Sequence, residues 1–288
     1  MAAAEYWFDS EEGLRLFARV YPGPGAAAPV VLCLHGLTHN SRHFEDLASH
    51  LAKRQRVIVP DMRGRGLSAH DPNFNNYQIP VYVQDVLRLL AGLGAARVTI
   101  VGTSMGGLMA MVLAARSPEL VAGIVLNDVG PELERAGLDR IRGYAGKATA
   151  PRDWAGAVAQ LRLVYGEIWP DLDAARWESL ARAGYRADVH GVPQPDLDPL
   201  IAEPLKDGAR AAADLWPLWG VIRQIPMLAI RGAQSDVLSA ATLARMQREK
   251  PDLRVLTVPN RGHPPLLDEP ECVVAIDEFL RVRRAAPG

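Results

Sequence analysis

The chain has 288 residues, 49% of them hydrophobic, and a formal net charge of −1 from 32 Lys and Arg against 33 Asp and Glu. That length is ample for a large buried core, and charges of both signs interspersed along the sequence set up no field that would draw nucleic acid or an anionic membrane. No stretch approaches the roughly 20 consecutive apolar residues of a membrane span, and the first residues lack a basic segment followed by an apolar one, so a cytoplasmic protein is expected.

In chain order, the first pattern is YWFDSEEGLRLFARVY (6–21), two alternating runs around a Ser-Glu-Glu-Gly turn, which predicts a β-hairpin. Short β-branched runs follow: PVVLCLHG, RVIVPD, ARVTIVGTS, VAGIVLND, IPMLAIRG and LRVLTVP. Continuous apolar strands alternating with helical patterns predict a parallel sheet covered on both faces, an α/β fold. Helices are expected over 41–53 behind Asn40 or Ser41, over 80–93 behind a proline, and over 270–284 from Pro270. Cys33 falls in a strand pattern and Cys272 in a helical one, so both read as buried small hydrophobes rather than as a disulfide.

From 131 to 220 the strand rhythm stops. Trp154, Trp169, Trp177, Trp216 and Trp219 occur there among amphipathic helical pieces and the proline-rich GVPQPDLDPLIAEP. The expected organisation is a core of 1–130 and 221–288 with a helical cap of 131–220 inserted between two strands. The tryptophans serve mainly to glue that cap to its base, and some line a ligand cavity.

Gly102-Thr103-Ser104-Met105-Gly106 fits G-x-S-x-G where a predicted strand turns into a helix. A turn that sharp crowds positions two before and two after the serine, hence the glycines, and leaves the hydroxyl at the positive end of a helix. A nucleophilic serine needs a base, and VPNRGHPPLLDEP supplies His263 beyond the last strand. The base needs an orienting carboxylate, and IRGAQSDVLS places Asp236 after the preceding strand, with Asp128 in LNDVGPE as the alternative acid. An oxyanion needs two N–H donors, here the backbone of Met105 and of Leu37 in LHGLTHN.

With LHG after one strand, DMRGRGLS (61–68) after the next, the GTSMGG elbow, a cap, and Asp and His loops in order, the chain resembles the serine-nucleophile α/β-hydrolases over almost its full length. The resemblance implies a mostly parallel eight-stranded sheet with helices on both faces, hydrolytic chemistry, no metal and no organic cofactor. It resembles especially the bacterial branch of small esterases, enol-lactonases and carbon–carbon bond hydrolases that share G-x-S-M-G-G. The loop LTHNSRHF departs from the Gly-Pro-Gly type of the meta-cleavage carbon–carbon hydrolases, and a serine at the elbow is unlike haloalkane dehalogenases and epoxide hydrolases, which use aspartate there. The expected activity is hydrolysis of a small carboxylic ester or lactone. A carbon–carbon hydrolase acting on a vinylogous diketone and a noncatalytic ligand-binding member of the fold are the alternatives.

Other motifs carry less. His35, His39 and His43 recur every fourth residue, but His35 ends a strand and Gly36 breaks the run, so no metal face is expected. GLGAAR (92–97) precedes a strand instead of following one and fails as a dinucleotide motif. The Arg63-Gly64-Arg65-Gly66 turn reads as structural rather than as a phosphate cradle, and Glu132 and Arg231 as surface residues near the cap mouth.

Overall fold

The computed structural model describes residues 2–25, 27–205 and 214–285. Strands β1 (Ala4–Asp9) and β2 (Arg15–Tyr21) form the expected hairpin, pairing antiparallel from Ala4 opposite Val20 to Asp9 opposite Arg15. The other core strands are β3 (Val30–Leu34), β4 (Arg56–Asp61), β5 (Val98–Thr103), β6 (Val121–Asn127), β9 (Met227–Gly232) and β10 (Arg254–Val258). Among the described residues eight strands make one sheet in the order β1-β2-β4-β3-β5-β6-β9-β10. Pairing is antiparallel through β2 and β4 and parallel from β4 to β10.

The two-residue period of these strands sorts their side chains into two layers. Leu32, Leu34, Ile100, Ile124 and Leu126 join a principal core with α2 (Ile79–Gly92), α3 (Met105–Arg116) and α8 (Ala240–Glu249). Their neighbours Val31, Cys33, Val101 and Val125 face the other layer, built by Leu47 and Leu51 of α1 (Glu45–Leu51) and Ile276, Phe279 and Leu280 of α9 (Pro270–Ala285). Because both faces are covered, the strands are apolar throughout instead of alternating. Each fully buried Leu, Ile, Val or Phe contributes about 1.5–3 kcal/mol, so a truncation such as Ile100→Ala costs about 2–5 kcal/mol. Both cysteines are buried and free.

Asn40 begins the 41–53 segment as expected. Its side chain accepts from Arg42 N–H, and a 3-10 turn over Ser41–Phe44 runs into α1.

Between β6 and β9 lie α4 (Arg135–Tyr144), α5 (Trp154–Tyr165), α6 (Ala174–Gly184), a ribbon of β7 (Tyr185–Ala187) and β8 (Pro193–Pro195), a 3-10 segment Pro199–Leu205, and α7 (Trp216–Ile222). Residues 206–213 of the expected cap lie outside the described residues. Tyr165, Ile168, Trp169, Trp177 and Leu180 form a separate cluster of their own. Trp216, Trp219 and Ile222 instead belong to the principal core, so the expected boundary at 220 falls inside a helix that packs on the core.

The Arg63–Gly66 turn is where the inserted segment docks. Arg63 is buried and donates to Asp85 at 2.6 and 2.8 Å and to Asp71 at 2.6 Å. Gly66 N–H donates to Asp196 O and Asp198 N–H to Gly64 O, at 3.0 and 2.7 Å. Gly66 has φ +57°, and a Cβ there would collide with the Asp61 carboxylate, which accepts from Ser41 and Leu67 N–H. These turn contacts are structural, as the sequence suggested.

Candidate active site

The site begins where β5 ends. Ser104 has φ 51° and ψ −114°, and its N–H donates to Asn127 O at 3.0 Å, so the chain reverses at one strained residue before entering α3. Crowding explains both glycines: a Cβ on Gly102 would meet Gly106 O at 2.5 Å, and one on Gly106 would run into Leu34 O. Met105, the first helical residue, has an N–H with no acceptor inside the helix.

His263, 3% exposed, bridges the elbow to the neighbouring strand end. Its Nε2 lies 2.9 Å from Ser104 Oγ, and its Nδ1 lies 2.9 Å from Asp128 Oδ2. A carboxylate can only accept, so Nδ1 carries the proton and Nε2 is left to accept from the serine hydroxyl.

The carboxylate on the histidine is therefore Asp128, and the expectation for Asp236 is corrected. Asp128 is fully buried just beyond β6 with φ 58°; its N–H donates to Ile230 O at 2.7 Å and its Oδ1 accepts from Gly232 N–H at 2.9 Å. These bonds turn the second oxygen across the end of β9 toward His263. Asp236 is taken by another partner: Arg140 Nε and Nη2 donate to its two oxygens at 2.6 and 2.8 Å. Burial pushes the Asp236 carboxyl up, but the Arg140 hydrogen bonds and charge outweigh that and hold it below the usual carboxylate range.

Several residues hold the histidine loop in ways the sequence reading missed. Trp169 Nε1–H donates to Pro264 O at 2.8 Å, Asn127 Nδ2 donates to Pro265 O at 2.9 Å and to Thr103 Oγ1 at 3.1 Å, and Gly262 N–H donates to Ile168 O at 2.9 Å. The polar residue Asn127, fully buried at the end of an apolar strand, was the available signal for this loop.

The loop after β3 runs beside the nucleophile: a Cβ on Gly36 would lie 3.8 Å from Ser104 Cβ. Its anchor is Arg65, completely buried, which donates Nε to Leu37 O at 3.0 Å, Nη1 to Arg63 O and Tyr82 Oη at 2.8 Å each, and Nη2 toward Met105 Sδ at 3.8 Å. One side chain thus touches both residues expected to form an oxyanion hole. His35 anchors the loop from below: Met62 N–H donates to its Nε2 at 3.0 Å, so its Nδ1–H donates to Gly36 O at 2.8 Å. Burial pushes the His35 imidazole down to about 3, keeping it neutral.

His39 and His43 stack with ring centroids 4.2 Å apart, and His43 Nδ1 accepts from Asn40 N–H. His35 and His43 thus spend ring nitrogens on separate backbone groups. Among the described residues no group of three or more His, Cys, Asp or Glu is placed to hold a metal ion, and no helix is long and apolar enough to cross a membrane. Glu132 accepts from Trp216 Nε1–H, and Arg231 braces its own loop through the carbonyls of Leu238, Ala233 and Ser235.

Two cavities flank the Leu37–Thr38 step. One of about 310 Å³ contains Ser104, Met105 and Leu37 and is walled by Leu108, Leu133 and Ile201. The other, about 340 Å³, is lined by Thr38, His39, Tyr144, Tyr165 and Trp169.

A family model described as the alpha/beta hydrolase fold matches residues 29–270. The chain is 34% identical over 284 residues to a 3-hydroxybutyrate-oligomer hydrolase of Cupriavidus necator, with 94% of each chain covered. It is 30% identical over 237 residues to a 2-(acetamidomethylene)succinate hydrolase of Mesorhizobium japonicum, with 82% of each covered. The crystal structure of an alpha/beta hydrolase from Novosphingobium aromaticivorans superposes with a TM-score of 0.91 at 43% identity, covering 98% of this chain and 99% of that one.

Proposed function

The chain belongs to the alpha/beta hydrolase fold family, and on that footing we propose that it is a serine hydrolase of small carboxylic esters or lactones, working through an acyl-enzyme. The observation that carries the reading is His263, held 2.9 Å from Ser104 Oγ on one side and 2.9 Å from Asp128 on the other. Support also comes from the relatives, one named as a 3-hydroxybutyrate-oligomer hydrolase.

In this reading His263 Nε2 takes the proton as Ser104 Oγ attacks the carbonyl carbon, while Asp128 holds the ring in the required tautomer and balances the imidazolium. The tetrahedral oxyanion is met by Met105 N–H and Leu37 N–H, whose loop Arg65 holds in place. The bond to the leaving oxygen breaks and the alcohol departs with the proton from His263. Water then gives its proton to the same nitrogen and attacks the acyl carbon; the bond to Ser104 Oγ breaks, His263 returns that proton to Oγ, and the acid departs. The segment from α4 to the 3-10 turn at Pro199–Leu205 acts as a cap that walls the cavity at Ser104 with apolar side chains. A small-molecule substrate suits this enclosure better than a polymer or a charged phosphoester.

The test is turnover of a p-nitrophenyl ester series from acetate to laurate, with a serine-directed phosphonate label located by mass spectrometry. Hydrolysis with a maximum at short to medium chains, and a label on the peptide containing Ser104, are expected. No ester or lactone turnover, with activity on a vinylogous diketone, would replace this reading by a carbon–carbon hydrolase.

A further inference from the structure

Arg140, half-buried, carries its charge differently from the buried arginines near the site. Arg63 and Arg65 have a partner for every guanidinium nitrogen. Arg140 spends Nε and Nη2 on Asp236, which occupies one edge of the planar fork, and Nη1 on the opposite edge is enclosed with no acceptor. An enclosed charged donor without an acceptor is disfavoured more strongly than a neutral one, so such a group marks the place of a missing acceptor.

Its location fits a substrate group. Leu138 and Ile141 on the same helix, and Val237 next to Asp236, line the cavity that holds Ser104. Gly143 and Tyr144, one turn further, line the second cavity with Thr38 and Tyr165. Arg140 therefore lies on a helix whose neighbouring residues line both cavities. The Tyr165 hydroxyl is 3.2 Å from Thr38 Oγ1, one residue from Leu37. Burial pushes both Tyr144 and Tyr165 up, so each keeps its proton; the Tyr144 hydroxyl is within hydrogen-bonding reach of both Tyr165 and Arg140, and Tyr165 lies in the field of the same guanidinium. Among the described residues no Asp or Glu lines the second cavity, and Lys147 lines it. Its two histidines are held neutral by desolvation first, His39 pushed down to about 4 and His43 well below the usual value. The lining suits an anion.

We propose that Arg140 Nη1, with the hydroxyls of Tyr144 and Tyr165, binds a substrate carboxylate, so that the ester cleaved at Ser104 carries a free carboxylate a few bonds from its scissile carbonyl. The assignment rests on the serine-hydrolase reading and narrows its substrate class to anionic esters. Asp236 acts here as the group that holds the guanidinium in place.

The experiment compares kcat/KM for three substrates: p-nitrophenyl butyrate as the neutral ester, the p-nitrophenyl hemiester of glutaric acid with the carboxylate on the acyl side, and the butyryl ester of glycolate with it on the alcohol side. Each carboxylate ester is read against its own neutral methyl-ester counterpart. At least one is expected to be favoured over that counterpart by roughly 10–100-fold, and Arg140→Gln is expected to reduce that preference to near unity. Equal or better turnover of both neutral counterparts, or an Arg140→Gln loss equal on charged and neutral esters, would overturn the assignment while leaving the serine mechanism standing. Inactivity on every ester would remove both. Should Arg140→Gln fail to fold, competitive inhibition of the unmodified enzyme decides: glutarate is expected to inhibit at least tenfold more strongly than its diamide, and equal inhibition would overturn the proposal.

Discussion

The ends of β6 and β9 each offer a carboxylate at the same edge of the sheet, and the two have opposite fates. Asp128 is sealed between Gly232 N–H and His263, with no exposed surface. Asp236 lies on a loop tied to α4, with Glu134 N–H on Val237 O and Gly137 N–H on its own carbonyl, and its side chain is a third exposed and clamped by Arg140. The first belongs to the rigid layer of the core, the second to the seam between core and inserted segment. A carboxylate meant to fix a histidine tautomer is best placed where backbone donors orient it, and the strand end adjacent to the elbow provides that.

The sharpest way to break this contrast starts at the nucleophile. Ser104→Ala and His263→Ala should each lower kcat by roughly 10⁴–10⁶-fold with the circular dichroism spectrum unchanged, since the two act as one unit. Ester turnover near the unmodified rate by a folded Ser104→Ala protein would end the proposed mechanism.

The comparison itself is tested by two isosteric changes. Asp128→Asn should cost roughly 10³–10⁴-fold in kcat by favouring the wrong tautomer of His263, whereas Asp236→Asn should cost less than about tenfold on a neutral ester. A reversed order would return Asp236 to the histidine.

Arg65→Lys comes next. Lysine cannot reach Leu37 O, Tyr82 and Arg63 O together from a planar fork, so kcat is expected to fall roughly 10–100-fold with KM changed far less. A change in KM alone would show that the loop after β3 binds substrate without serving the transition state.

The smallest effects concern stability. Trp169→Phe removes the N–H bond to Pro264 O and should lower unfolding free energy by about 0.5–1.5 kcal/mol, read by denaturant titration. His35 is neutral in the folded protein because burial depresses its pKa to about 3, so the unfolded chain binds the extra proton once pH falls below about 6.5. Stability contributed by neutral His35 is thus complete above that pH and is lost progressively as pH falls toward 3. His35→Gln should flatten this part of a Tm–pH profile, and an unchanged slope would assign it to His39 and His43, also depressed by burial, and to the acidic side chains.

Local chemistry determined a good deal about this protein on its own. Alternation and β-branching located the hairpin and the parallel strands, Asn40 and Pro270 marked helix starts, and the spacing of Gly102, Ser104 and Gly106 could only satisfy a crowded strand-to-helix turn. The loop bearing His263 was legible because Gly and Pro bracket it beyond a clear strand.

The choice between Asp128 and Asp236 was not legible, because both follow apolar strands and the deciding partner, Arg140, sits 96 residues from Asp236 in a segment without strand rhythm. Arg65 was equally hidden: its motif reads as a turn, and only packing brings its fork to Leu37 and Met105. Trp216 and Trp219 read as cap residues because amphipathicity says that a face is buried but not against what. Periodicity and turn chemistry depend on neighbours a few residues apart, so the sequence by itself determined elements and the elbow. Which charge meets which across the sheet edge depends on contacts of long sequence separation, and those only the tertiary structure decided.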